Sequence, residues 1–214
     1  NKKMNFLITG GCGYIGSRVT KHLLKLRHKV LVYDSFWFRN SLKKHKNLKV
    51  IKGDVRDFDK LNIKNIDIII HLANVANDPT VELNPNLSWE INVLAAKIMA
   101  DHAVKNKVKK FIFISSNTVY PLTNKSVSEN DANYDFYKSY HIVAWMKRFT
   151  EVMCDMYSNK IKNSMNTIVV RPGNLYGPHD KFDREKSKVV PALIRKIIES
   201  EDSIEVWGDG KDIK

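Results

Sequence analysis

Apolar and polar positions along this chain switch repeatedly between two spacings, and the switches delimit its elements. Short apolar runs bounded by polar clusters occur at residues 5–8, 30–33, 48–51, 67–72, 111–114 and 167–170. Runs of this length predict strands; the first reads as buried, and 67–72 is an apolar run of the kind found in buried parallel strands. Between them the apolar spacing turns helical. Ile15, Val19, Leu23 and Leu26 mark a first helix, residues 84–106 a second, and Ala144, Lys147, Glu151 and Met156 lie along a third. Residues 189–200 give a fourth, and 204–207 read as strand-like. Trp145, Phe149, Val152 and Met156 also recur at helical spacing, a stripe expected to pack in the core. Strand–helix alternation of this kind predicts an α/β protein with a parallel sheet covered on both faces.

The first strand runs directly into Thr9-Gly10-Gly11-Cys12-Gly13-Tyr14-Ile15-Gly16, which opens the first helix. A glycine-rich turn in that context cradles a pyrophosphate. Gly10 permits the tight turn, Gly13 lets the backbone approach the phosphates, and Gly16 lets helix and strand pack closely. The helix start adds the positive end of its dipole. The second strand ends in Asp34, about 20 residues past the turn, where a carboxylate accepts hydrogen bonds from adenosine ribose hydroxyls. It would repel a 2′-phosphate, which favours NAD over NADP, although Arg39, Lys43 and Lys44 are near enough in sequence to tolerate one. The plainer role for Asp34 is to cap the segment that follows. The expected fold is therefore a Rossmann-type doubly wound parallel sheet over residues 1–174. Residues 175–214, where Gly177-Pro178 changes the character of the chain, open a smaller C-terminal substrate lobe.

Composition adds limits. The net charge is +13 over 214 residues. The lysines are scattered over helix faces and loops, clustering only at Lys43-Lys44-His45-Lys46 and between Lys105 and Lys110. No basic stripe interleaved with aromatics appears, so no nucleic-acid partner is expected; a basic surface would still attract a diphosphate. Two distant cysteines, Cys12 and Cys154, suggest no disulfide framework and fit a reducing cytoplasm. The N-terminal apolar run is too short for a signal peptide, and no stretch approaches transmembrane length, so no membrane partner is expected. The seven histidines show no metal-ligand spacing, so no metal is expected.

These pieces, in order, resemble the extended short-chain dehydrogenase/reductase family, in its NAD-dependent nucleotide-sugar epimerase/dehydratase branch. The likeness spans nearly the whole chain. It rests on the glycine turn, Asp34, Gly53-Asp54-Val55, His71-Leu72-Ala73, Asn92, Ser115-Ser116-Asn117-Thr118-Val119-Tyr120, and Lys147 with Glu151. Arg171-Pro172-Gly173-Asn174-Leu175-Tyr176-Gly177-Pro178 and Val206-Trp207-Gly208-Asp209-Gly210 complete it. Members of the family run on well beyond this length, so the chain reads as truncated.

The resemblance implies a nucleotide-sugar substrate, a homodimer in which part of the Trp145–Met156 stripe is interface, and NAD held by Gly10, Gly13, Tyr14, Ile15, Gly16, Asp34, Asp54, Val55, Ala73 and Lys147. Asn174 would contact the substrate. In the family a tyrosine takes a proton from a sugar hydroxyl, a lysine one helical turn later lowers its pKa, and a serine or threonine bonds the reacting hydroxyl. Such help is needed because an unperturbed tyrosine, with a pKa near 10, is a poor base at neutral pH. Ser116 matches the serine and Lys147 the lysine. The tyrosine position, four residues before Lys147, is Val143. Tyr140, one further turn back, is the replacement base this reading offers, with Tyr137 behind it. Tyr134 and Lys138 share the family spacing but lack the following glutamate. Asn117 and Thr118 stand where dehydratases of the family carry Asp-Glu, which disfavours dehydration. The implied activity is nucleotide-sugar epimerisation or a related oxidoreduction, and the rival is a catalytically silent NAD-binding protein, a sensor or partner subunit.

Overall fold

The computed structural model describes residues 2–37, 40–75, 84–136, 138, 141–162, 164–178, 180, 182, 184, 187–206 and 208. Six parallel strands form one sheet: β1 (Asn5–Thr9), β2 (Lys29–Asp34), β3 (Leu48–Lys52), β4 (Ile68–His71), β5 (Lys110–Ile114) and β6 (Asn166–Val170). Their spatial order, β3-β2-β1-β4-β5-β6, reverses direction beside β1. That crevice, at the carboxyl ends of β1 and β4, is where ligands of doubly wound sheets bind. The register pairs Thr9 with Tyr33 on one side and with His71 on the other, so the three strands end level.

The central strands owe their place to continuous apolar runs. Leu7, Ile8 and Ile69 are fully buried; one large cluster joins Leu7 and Ile69 through Phe58, Met99, Phe111 and Phe113, and a second holds Ile8 with Phe6, Val30 and Val32. Helix α1 (Tyr14–Lys25) follows the glycine turn. The second predicted helix is a chain of α2 (Pro85–Trp89), a π turn (Glu90–Leu94) and α3 (Ala95–Lys105). The π turn carries Asn92, whose buried side chain accepts from the Val75 N–H at 2.8 Å and donates to the Val75 carbonyl at 3.0 Å. Such a mid-helix widening marks a functional or strained position.

Helix α4 (His141–Asn159) buries Val143, Ala144, Met146, Lys147, Thr150, Glu151, Met153 and Cys154. Its other apolar stripe corrects the sequence expectation. Trp145 (41 %), Phe149 (51 %), Val152 (49 %) and Met156 (38 %) are exposed, because the helix has two apolar stripes and buries the one that carries Val143, Met146 and Met153.

The chain divides into two compact units: residues 1–122 with 127–173, and 123–126 with 174–214. The second holds α5 (Val189–Glu199), with Lys196 Nζ bonded to the Glu205 carbonyl at 2.7 Å. The expected strand near residue 204 is absent among the described residues. Ile204, Glu205 and Val206 pair with no strand among those residues, and β propensity alone does not make a strand.

Candidate functional site

The glycine turn closes on itself. The Gly13 N–H donates to the Gly10 carbonyl at 3.2 Å, and Gly10 takes φ 69°, a left-handed conformation that favours glycine. A Cβ on Gly16 would lie 2.2 Å from the Gly10 oxygen, and one on Gly10 would lie 2.7 Å from the Ala73 nitrogen. Side chains are thus excluded where α1 meets β1 and β4. Gly13 is the N-cap of α1 and no side chain caps it, so the N–H groups of Tyr14, Ile15 and Gly16 form the uncapped positive start of that helix. This cradle fits a dinucleotide pyrophosphate.

One open pocket gathers most of the cofactor residues expected from the sequence: Gly10, Gly13, Asp34, Asp54, Val55 and Ala73. Asp34 takes the capping role foreseen for it. Its Oδ1 accepts from the Phe36 N–H at 2.7 Å, capping the next turn, and its Oδ2 accepts from the Cys12 N–H at 2.9 Å. Each oxygen keeps a lone pair for a ribose hydroxyl. Desolvation by burial, with the Asp34 charge adding, pushes the Cys12 thiol up to about 12, so it stays protonated. Asp54 is engaged by Arg56, which donates at 2.8 Å to Oδ2 and bonds Glu90 at 2.7 Å. Hydrogen bonds from Arg56 hold the Asp54 carboxyl below its usual range.

Beneath the pocket Thr9 Oγ1 shares a hydrogen bond with His71 Nδ1 at 2.8 Å and accepts from the Ala73 N–H at 3.4 Å. Burial lowers the His71 pKa to about 3, with the Lys147 charge adding to the shift, so the imidazole is neutral.

At the ends of β5 and β6 the site is built from side chains. Lys147, buried in α4, donates to the Ile114 carbonyl at 2.8 Å, and its ammonium lies 5.0 Å from the Phe113 ring centroid. Burial lowers its pKa to about 7, against the Glu151 charge. Ser116, two residues beyond that carbonyl, accepts from the Thr118 N–H at 3.2 Å, so its hydroxyl caps the turn as a strand-end serine does. Val143 is buried in the main cluster. Tyr140 and Tyr137 lie outside the described residues. Tyr134 is 57 % exposed and stacks on Trp145 at 5.7 Å, on the outward side of α4. Asn174 is exposed at the start of the second unit.

Sequence reasoning missed the hub of this end. Glu151 accepts from Ser115 Oγ at 2.5 Å, Arg171 Nε at 2.9 Å and Arg148 at 2.8 Å, with a second Arg171 contact at 2.8 Å. Arg171 continues to Tyr120 Oη at 3.2 Å and the Glu129 carbonyl at 2.8 Å. Those hydrogen bonds overcome desolvation and hold the Glu151 carboxyl below its ordinary range. The only linear hint was the spacing Lys147–Glu151, four residues and one helical turn.

Comparison with known proteins agrees with this arrangement. A profile of the NAD dependent epimerase/dehydratase family matches residues 6–214, and the chain belongs to that family. NAD is therefore the cofactor that the cradle is built to hold. The chain is 30 % identical to a UDP-N-acetyl-alpha-D-glucosaminuronate decarboxylase of Bacillus cytotoxicus, over 98 % of this chain and 65 % of that protein. It is 26 % identical to a dTDP-D-glucose 4,6-dehydratase of Dictyostelium discoideum, over 97 % and 51 %. Among solved structures it resembles a UDP-N-acetylglucosamine 4-epimerase from Methanobrevibacter ruminantium M1 in complex with UDP-N-acetylmuramic acid. There the TM-score is 0.86 at 27 % identity, over 98 % of this chain and 67 % of that one. The chain thus spans about two thirds or less of the curated relatives it matches. All three are nucleotide-sugar enzymes, but their names give three different reactions.

Proposed function

We propose that this chain is the NAD-binding part of a cytoplasmic nucleotide-sugar epimerase, or of a close oxidoreductase relative, working by transient oxidation of a sugar carbon. The observation that carries the reading is Lys147, buried and anchored on the Ile114 carbonyl beside Ser116, at the carboxyl edge of the same sheet whose β1 ends in the dinucleotide cradle. A lysine without a task would sit in water, since burial of an ammonium is costly. NAD, when bound, supplies the acceptor and then the donor of hydride. Ser116 Oγ orients the reacting hydroxyl. The charge of Lys147 Nζ lowers the pKa of the base, which takes the proton of the sugar hydroxyl as hydride leaves and gives it back when hydride returns. Tyr140 is the base that replaces the residue lost at Val143. Asn174 contacts the substrate. Asn117 and Thr118 offer no carboxyl for water elimination, which supports epimerisation over dehydration.

Val143 favours a second reading, a catalytically silent NAD-binding protein of the same fold. The two separate in one experiment on the full-length protein. Wild type, Tyr140→Phe, Val143→Tyr and Lys147→Ala are assayed for NAD reduction and sugar interconversion with UDP-, GDP- and dTDP-sugars. Turnover in wild type that is lost in Tyr140→Phe and Lys147→Ala establishes the enzyme. NAD binding without turnover, with activity gained in Val143→Tyr, establishes the silent form.

The exposed stripe Trp145, Phe149, Val152 and Met156, extended by Trp89 at 6.1 Å from Phe149, supports a homodimer through α4. Sedimentation of wild type against Phe149→Lys tests it: the variant sediments as a monomer.

A further inference from the structure

The turn after β2 carries an anomaly that the cofactor cradle does not explain. Phe36 takes φ 62°, the left-handed region that bulky side chains avoid, and so holds local strain. Two contacts hold it there. Its N–H is bonded by Asp34 Oδ1 at 2.7 Å, and its ring packs against the cluster that contains Val30, Val32 and Cys12. The consequence falls on the next residue. Trp37 is turned out of the core, 54 % exposed, and becomes a wall of the pocket that also holds Asp34, Asp54 and Val55.

A large indole left half in water is a loss of burial with no structural return. Strain that keeps it there belongs with a ligand that covers it. Asp34 fixes which part of the ligand that is, because its carboxylate addresses the ribose of the adenosine half. The group within reach of a wall residue beside that ribose is the adenine, a flat π system without charge. Base–aromatic stacking is the interaction an exposed indole offers to such a group.

We propose that Trp37 is a binding residue for the adenine of NAD, preset by the left-handed Phe36 and the Asp34 cap to stack on the base. The proposal rests on the cofactor reading above. It makes Asp34 serve two parts of one nucleoside: directly the ribose, and through the Phe36 turn the base. It also gives the site a built-in optical reporter, since Trp37 is one of only four tryptophans in the chain.

The test is a titration of wild-type protein, Trp37→Phe and Trp37→Ala with NAD⁺, ADP-ribose and nicotinamide mononucleotide. Tryptophan emission and calorimetric affinity are followed. NAD⁺ and ADP-ribose are expected to quench wild-type emission, and nicotinamide mononucleotide is not. The quench disappears in Trp37→Phe, whose affinity stays close to wild type because a ring remains. Trp37→Ala weakens NAD⁺ about tenfold, or roughly 1.4 kcal/mol. Trp37 is exposed, so neither variant threatens the fold. Wild-type binding with an unchanged affinity in Trp37→Ala, or a quench retained in Trp37→Phe, overturns the proposal and leaves the cofactor reading intact. Absence of NAD⁺ binding in the wild type overturns both.

Discussion

The two ends of this sheet solve the same problem, fixing a ligand at the carboxyl edge, with different materials. At β1 and β2 the work is done by backbone and by missing side chains: Gly10 and Gly16 leave no room for a Cβ, and Asp34 bonds two backbone N–H groups. At β5 and β6 it is done by polar and charged side chains from three segments, the ends of β5 and β6 and helix α4, meeting on Glu151. The contrast extends to their arginines. Arg56, with Asp54 and Glu90, has a side chain 44 % exposed. Arg171 and Glu151 are 14 % and 3 % exposed. Water screens the first pair and stands aside from the second. The dinucleotide cradle can therefore tolerate a surface charge change, while the end at β5 and β6 stands or falls with its hub.

The sharpest way to break that contrast is Glu151→Gln, which leaves Arg148 and Arg171 facing a neutral group. Thermal or denaturant unfolding is expected to show a loss of about 3–5 kcal/mol, the range for removing one partner of a buried pair. Equal melting of variant and wild type would dissolve the distinction. Next comes pH. Lys147 has its folded pKa lowered to about 7 from an ordinary 10.5, so the unfolded chain binds more protons between those values. Its contribution to stability is present above pH 10.5 and is lost as pH falls towards 7, at about 1.4 kcal/mol per pH unit. Lys147→Met should flatten the profile in that window. His71, lowered from 6.5 to about 3, acts with the same sign, costing stability as pH falls from 6.5 towards 3. His71→Phe should flatten that acid limb.

Smaller effects sharpen the nucleotide end. Gly16→Ala drives a Cβ against backbone that cannot yield, and NAD⁺ affinity by calorimetry is expected to fall at least tenfold, about 1.4 kcal/mol. Gly173→Ala, whose Cβ would meet nothing within 4 Å, should leave affinity unchanged. Arg56→Ala closes the series. Loss of its exposed pairs should cost about 0.2–1 kcal/mol in unfolding.

Why one end was legible in the sequence and the other only in part follows from the same contrast. A glycine turn between an apolar strand and an amphipathic helix is local, and Thr9 to Gly16 states its geometry in eight consecutive residues. The strands were legible because parallel sheets demand apolar runs on both faces. The Glu151 hub joins residues 115, 148, 151 and 171, and nothing local announces that a carboxylate will meet two guanidinium groups. The Trp145–Met156 stripe misled for a related reason. Helical spacing reports that a face is apolar, and a second apolar face on the same helix looks identical until the sheet chooses between them. Phe36 and Trp37 gave no sign because a positive φ at phenylalanine is imposed by its contacts rather than by its identity.

Lys147 and Glu151 lie one turn apart on the same buried face of α4, the first bonded to the end of β5 and the second to β6 through Arg171. Each added or deleted residue between them would rotate one against the other by about 100°. That short interval therefore has a fixed length. A variant that changes the count between Lys147 and Glu151 loses either its lysine or its hub.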